Sequence, residues 1–163
     1  MNLFGSRAGV AGLAAAFVLL ALFSAPALAG WGPATPNFNL QAQLRPVAGT
    51  ADGFGLVKFR QPKDGDTIVY LDVWVRDLAP SRSYFVQRAV DTNVDGDCTG
   101  TNWSMPTLGE VTTDDTGTGR ASLTRPLSAT LLGVELDIHF RVIDAVTSAV
   151  VLKSACYQFT VSL

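Results

Sequence analysis

One histidine, His139, and two cysteines, Cys98 and Cys156, are all that 163 residues offer of the usual transition-metal ligands. A site needing two or more imidazoles cannot be built within one copy of this chain, which excludes multi-histidine copper and zinc centres. Charge is scarce as well. Asp, Glu, Lys and Arg make up 16% of the residues, and the formal net charge of −2 comes without any basic block. A nucleic-acid backbone is followed by clustered cations, so nucleic acid is excluded as a partner class. The serines include no G-x-S-x-G elbow and only one histidine is available as a base, so a serine hydrolase is not expected. No Gly-rich loop stands at a strand-to-helix junction, which removes nucleotide cradles. After the N-terminal segment no window carries apolar residues at helical spacing.

What is present begins with an address. Arg7 precedes an unbroken run of apolar, Ala and Gly residues from Val10 to Phe23, and Ala27-Leu28-Ala29 supplies the small residues that signal peptidase reads. Residues 1–29 are therefore expected to be a secretory signal peptide, cut before Gly30. The run is too short for a membrane span of about 20 residues, and no span is expected after cleavage. Residues 30–37 read as an extended lead-in and 38–163 as a single domain, a length that suits one core. The expected location is secreted or periplasmic. There two cysteines usually pair, so a Cys98–Cys156 disulfide is expected, with two buried free thiols as the alternative.

The body of the chain alternates with a period of two. In 67–77, Val69, Leu71, Val73 and Val75 fall on one side and Tyr70, Asp72, Trp74 and Arg76 on the other. In 134–143, Val134, Leu136, Ile138, Phe140 and Val142 oppose Glu135, Asp137, His139 and Arg141. Such spacing predicts half-buried strands with one wet face. About eight strands are expected, near 38–45, 54–61, 67–77, 83–90, 107–113, 118–124, 134–143 and 150–162. Pro62-Lys63-Asp64-Gly65, Pro80-Ser81 and Asp114-Asp115-Thr116-Gly117 supply turns, the last closing a hairpin. Short, evenly spaced strands with one long connection at 91–106 predict an all-β, eight-stranded antiparallel Greek-key β-sandwich or barrel.

Three groups of residues carry possible chemistry. His139 lies on the polar face between Asp137 and Arg141, where a lone histidine is most often a surface residue. Asp91, Asn93, Asp95 and Asp97 surround Gly96 in the manner of the first half of a calcium loop. The twelfth position of that loop is Asn102 rather than a bidentate Glu, and an Asx-rich turn is the simpler reading. Trp74, Phe85 and Trp103 are candidates for a surface patch, or for covering a loop or sheet edge.

The order of segments resembles copper/zinc superoxide dismutases across about residues 54–162. Gly55 to Gln61 and Val69 to Leu78 resemble that family's second and third strands. Tyr84-Phe85-Val86-Gln87 stands where it writes F-H-V-H, and Asp91 where it writes G-D. Asp97-Cys98-Thr99 resembles G-C-T, and Leu108-Gly109-Glu110-Val111-Thr112-Thr113-Asp114 resembles L-G-N-V-T-A-D. Leu136-Asp137-Ile138-His139 resembles L-V-V-H, and Ala155-Cys156 the A-C of its last strand. The resemblance implies an eight-stranded Greek-key barrel, the Cys98–Cys156 disulfide, and a copper-ligand position at His139. Two further histidine positions are Phe85 and Gln87 here, and the bridging histidine has no counterpart. The zinc loop is nearly deleted, and the guiding arginine falls at about Lys153. The expectation is therefore a non-catalytic relative, without copper or zinc, acting as a binding or structural module toward an extracellular ligand or protein. Phe85, Gln87, His139 and Lys153 would form its patch. A dismutase with an atypical metal site and a calcium-stabilised module are the alternatives.

Overall fold

The computed structural model describes residues 39–48, 52–99 and 104–163. The leader, the lead-in and Trp103 lie outside the described residues. Among the described residues nine strands form: β1 (Asn39–Pro46), β2 (Phe54–Arg60), β3 (Ile68–Arg76), β4 (Ser83–Asp91), β5 (Thr107–Thr112), β6 (Gly119–Pro126), β7 (Glu135–Asp144), β8 (Val150–Ser154) and β9 (Tyr157–Thr160). One 3₁₀ turn, Ala129–Leu131, precedes β7. Eight strands hydrogen-bond in the order β5-β4-β7-β8-β1-β2-β3-β6, every pair antiparallel, and β9 pairs with β7. The β5–β6 hairpin brings the two ends together through the bridge Thr113↔Gly119, so the sheet curls into a nearly closed barrel. With β7 beside β4 and β4-β5-β6 consecutive, the connectivity is a Greek key.

The eighth expected strand is two. Residues 150–154 pair with the C-terminal half of β7 and 157–160 with its N-terminal half, and the ladder breaks at Ala155-Cys156. Cys156 is bonded there to Cys98, with Cα atoms 5.4 Å apart. The Ser154 hydroxyl donates to the Ala155 carbonyl at 2.6 Å, a local bond competing with the ladder.

Alternation places the core. Val69, Leu71, Val73 and Val75 of β3 are buried, as are Leu136, Ile138, Phe140 and Val142 of β7. Phe59 meets Phe159 edge-on at 4.9 Å and Phe140 at 6.0 Å, filling the barrel at one end. Two polar clasps hold the ends of the elements. Gln61, fully buried, donates to the carbonyls of Asp66 and Ser162 and accepts from the Ser162 N–H, which ties the C-terminus to the β2–β3 turn. At the other end Gly117 has φ 78°, and an added Cβ would run into the Leu78 carbonyl oxygen. The Leu78 N–H donates to the Gly117 carbonyl at 3.2 Å, so the β3–β4 and β5–β6 turns cross backbone to backbone.

One position departs from the alternation. Asp137 is on the wet face of β7, yet it is 1% exposed. The 91–99 segment folds over it, and the backbone N–H groups of Asp95 and Gly96 donate to its Oδ2 at 3.1 and 2.7 Å. The disulfide pins that segment down. Closing 58 residues of chain is worth about 4 kcal/mol in the chain-entropy account.

Candidate functional site

The register of the sheet lines up side chains that are far apart in sequence. On the outer face Gln87 of β4 is opposite Arg141 of β7, Arg141 is opposite Lys153 of β8, and Lys153 is opposite Arg45 of β1. The row continues around the barrel. The Arg45 guanidinium lies over the Phe54 ring of β2 at 5.1 Å, and Phe54 is opposite Arg76 of β3, whose guanidinium covers the same ring at 5.3 Å. Arg76 also lies 5.6 Å from the Trp74 ring, which meets Phe54 edge-on at 5.9 Å. Six neighbouring strands thus present one row about 24 Å long at the usual strand spacing.

Like charges directly opposed across strands destabilise a sheet, and Arg141, Lys153 and Arg45 are three in succession. Their neutralisation is slight. Arg141 Nε donates to Gln87 Oε1 at 2.6 Å, Arg45 Nη2 to Gln43 Oε1 at 2.8 Å, and Arg76 has only the exposed Asp77 at 3.5 Å. The two rings soften the repulsion by accepting cations on their faces. A row of this kind fits a ligand with negative charges and apolar or planar surface between them.

His139 sits one pleat away, opposite Ala89, half-buried. Its Nδ1 lies 3.4 Å from the Ser154 hydroxyl, which accepts the Phe140 N–H. Burial holds its pKa below the usual imidazole value, and Arg141 and Lys153 push in the same direction. These surroundings disfavour a second positive charge. Gln87 is 8% exposed, with its Nε2 spent on Thr107 and its Oε1 on Arg141. Phe85, half-buried on the outer face, is opposite Ile143 and offers no donor. The chemistry of this set does not fit copper or zinc: one imidazole, an occupied amide and two nearby cations.

The 91–97 segment is built from Asx turns. Asp91 Oδ1 accepts the Asn93 N–H, Asp95 Oδ1 accepts the Asp97 N–H, and Asn93 Nδ2 donates to Asp95 Oδ2. The Asp97 carbonyl takes the Thr99 N–H at 2.8 Å. Among the described residues no three His, Cys, Asp or Glu side chains stand close enough to hold a metal ion. Asp137 Oδ1, buried and without a hydrogen-bond partner, lies under this segment.

The structure therefore brings Gln87 and Lys153 into one row, joins Trp74 to it through Phe54, and sets His139 and Phe85 beside it. Arg141 and Arg76 were legible as outward residues, but Arg45 and Phe54 give no local signal. Only the register of β1, β2 and β3 brings Arg45, Phe54 and Arg76 into one row with Lys153. No known protein family, curated protein or solved structure matches this chain. Among the described residues no helix is long and apolar enough to cross a membrane, and the disulfide is compatible with an extracellular or periplasmic location.

Proposed function

We propose that this protein is an exported, non-catalytic β-barrel that binds an anionic partner along the outer row Arg141, Lys153, Arg45, Phe54 and Arg76. The observation that carries the reading is the succession of three directly opposed cations on a chain whose net charge is negative. General electrostatic attraction does not account for such a row, and selection for stability would remove it. The aromatic rings within it suit a polymer that presents carboxylate or sulfate groups between apolar faces, as acidic polysaccharides do. The resemblance to copper/zinc superoxide dismutases supports the same reading: it would be a scaffold related to theirs whose metal face has been replaced. Residues 1–29 would be removed on export.

Retention of the mature protein on an immobilised acidic polysaccharide tests this. The expected result is retention that salt reverses, lost in the double variant Arg45→Glu/Lys153→Glu. An unretained wild-type protein, or a variant retained equally well, overturns the binding role. Stoichiometric copper in protein from its native compartment, together with superoxide removal abolished by His139→Ala, would overturn the non-catalytic assignment.

A further inference from the structure

Two arginines point the other way. Arg88 of β4 is opposite Phe140 of β7, and Arg125 of β6 is opposite Val69 of β3. Directly opposed residues share a face of the sheet, and Phe140 and Val69 are fully buried core residues. Both arginines therefore rise from the inner face, and both are half-buried. They stand at the end of the barrel where β5 and β6 part. The bridge between those strands, Thr113↔Gly119, is at the opposite end, and Leu123 packs against Gly109 to close the middle of the seam. Past Leu123 comes Arg125, and on the other side the Arg88 N–H reaches the Pro106 carbonyl just before β5.

Neither cation has a counter-charge. All the Asp and Glu residues of the chain lie among the described residues. Among the described residues the ion pairs are Arg60–Asp72, Arg76–Asp77 and Arg82–Asp144, none of which involves Arg88 or Arg125. Arg125 donates from Nη1 to the Thr124 carbonyl, while Arg88 Nε is buried with no hydrogen-bond partner. Burial lowers the Arg88 pKa, and the nearby positive charge of Arg125 lowers it further. Two cations partly withdrawn from water, repelling one another and with a donor left open, form half of an ion pair.

We propose that Arg88 and Arg125 form a binding site for an oxyanion of the phosphate or sulfate class at the open β5–β6 end of the barrel. A guanidinium presents parallel N–H donors that match two oxygens of such a group, and the unpartnered Nε of Arg88 is one of them. Free phosphate and a phosphate group on a larger molecule share this chemistry. The site is independent of the outer row, which lies on the other face of the sheet.

Thermal melting of the mature protein, at an ionic strength fixed with chloride, tests the site with inorganic phosphate and glycerol phosphate as probes. The expected result is a saturable rise in Tm with at least one probe, absent in Arg88→Met. In chloride alone, Arg88→Met melts no lower than wild type, because a side chain of similar length replaces an uncompensated charge. A larger rise with glycerol phosphate supports the site with a phosphorylated molecule as its source, and a larger rise with inorganic phosphate supports it with the free ion. No saturable rise, or an equal one in Arg88→Met, overturns it. Should Arg88→Met not fold, Arg125→Gln at its half-exposed position carries the same comparison.

Discussion

Two patches of the barrel's outer surface handle charge by opposite rules. On β2-β3-β6, Lys58 is opposite Asp72 and Asp72 is opposite Ser122, with Arg60 reaching Asp72 at 2.9 Å and the Ser122 hydroxyl donating to the same carboxylate. Around Asp72 the charges are balanced by an opposite charge or a hydrogen bond, as expected of a patch that need only be soluble. On β4-β7-β8-β1, Arg141, Lys153 and Arg45 oppose one another in sequence. The same strand chemistry builds both faces, so the difference is not imposed by the fold. Sheet stability is satisfied around Asp72 and sacrificed along Arg141, Lys153 and Arg45, which is where a charged ligand would compensate.

The disulfide offers the largest handle on this contrast, since it secures the cover over one end of the β4–β7 face alone. Replacing Cys98 and Cys156 by Ser should lower stability by about 2–4 kcal/mol in denaturant unfolding. Hydrogen exchange should rise over 91–99 and in β9 before it rises in β2 or β3. Asp137→Asn comes next. It removes the charged acceptor from the Asp95 and Gly96 N–H groups and should cost about 1–3 kcal/mol, with an unchanged midpoint showing that the orphaned Oδ1 offsets the loss.

Smaller effects should differ in sign between the faces. Lys153→Glu places a carboxylate between Arg141 and Arg45 and should stabilise by about 0.5–1 kcal/mol while weakening polysaccharide binding at least about tenfold. Asp72→Asn should destabilise by about 0.5 kcal/mol, since its ion pair with Arg60 is exposed and screened, and should leave binding alone. Two shifts of the same sign would break the contrast.

The gentlest test is pH. Because His139 has a lowered pKa in the fold, the unfolded chain takes up its proton first as pH falls. The contribution is complete above the unfolded imidazole value of about 6.5 and is lost as pH drops through and below it. Stability at pH 5.5 should fall below that at 7.5 in wild type, and the slope should flatten in His139→Gln. The lowered carboxyl of Asp144, held by the Thr147 N–H, and that of Asp114, held by the Thr116 hydroxyl, lose their contributions only below about pH 4.

Much of the fold was legible. Val69 to Val75 and Leu136 to Val142 announced their buried face because the pleat sends alternate side chains to opposite sides, whatever the neighbours are. Asp114-Asp115-Thr116-Gly117 announced a turn because Asp114 Oδ1 accepts the N–H groups of Thr116 and Thr118, while Gly117 takes a positive φ. The burial of Asp137 was not legible, since it depends on a segment about 40 positions away folding over it. Nor was the break at Ala155-Cys156, where a cross-link and a side-chain bond interrupt an otherwise regular apolar pattern.

The candidate site divides in the same way. Sequence alone settled that His139 is the one imidazole, that alternation places it on the wet face, and that it has no histidine companions. These are matters of composition and of a local period. That Arg45 would stand beside Lys153, and Lys153 beside Arg141, was decided only when non-local strand pairing chose a register. The same pairing turned Arg88 and Arg125 toward the core. A slip of one residue would reverse every face, and that choice belongs to the packed barrel as a whole.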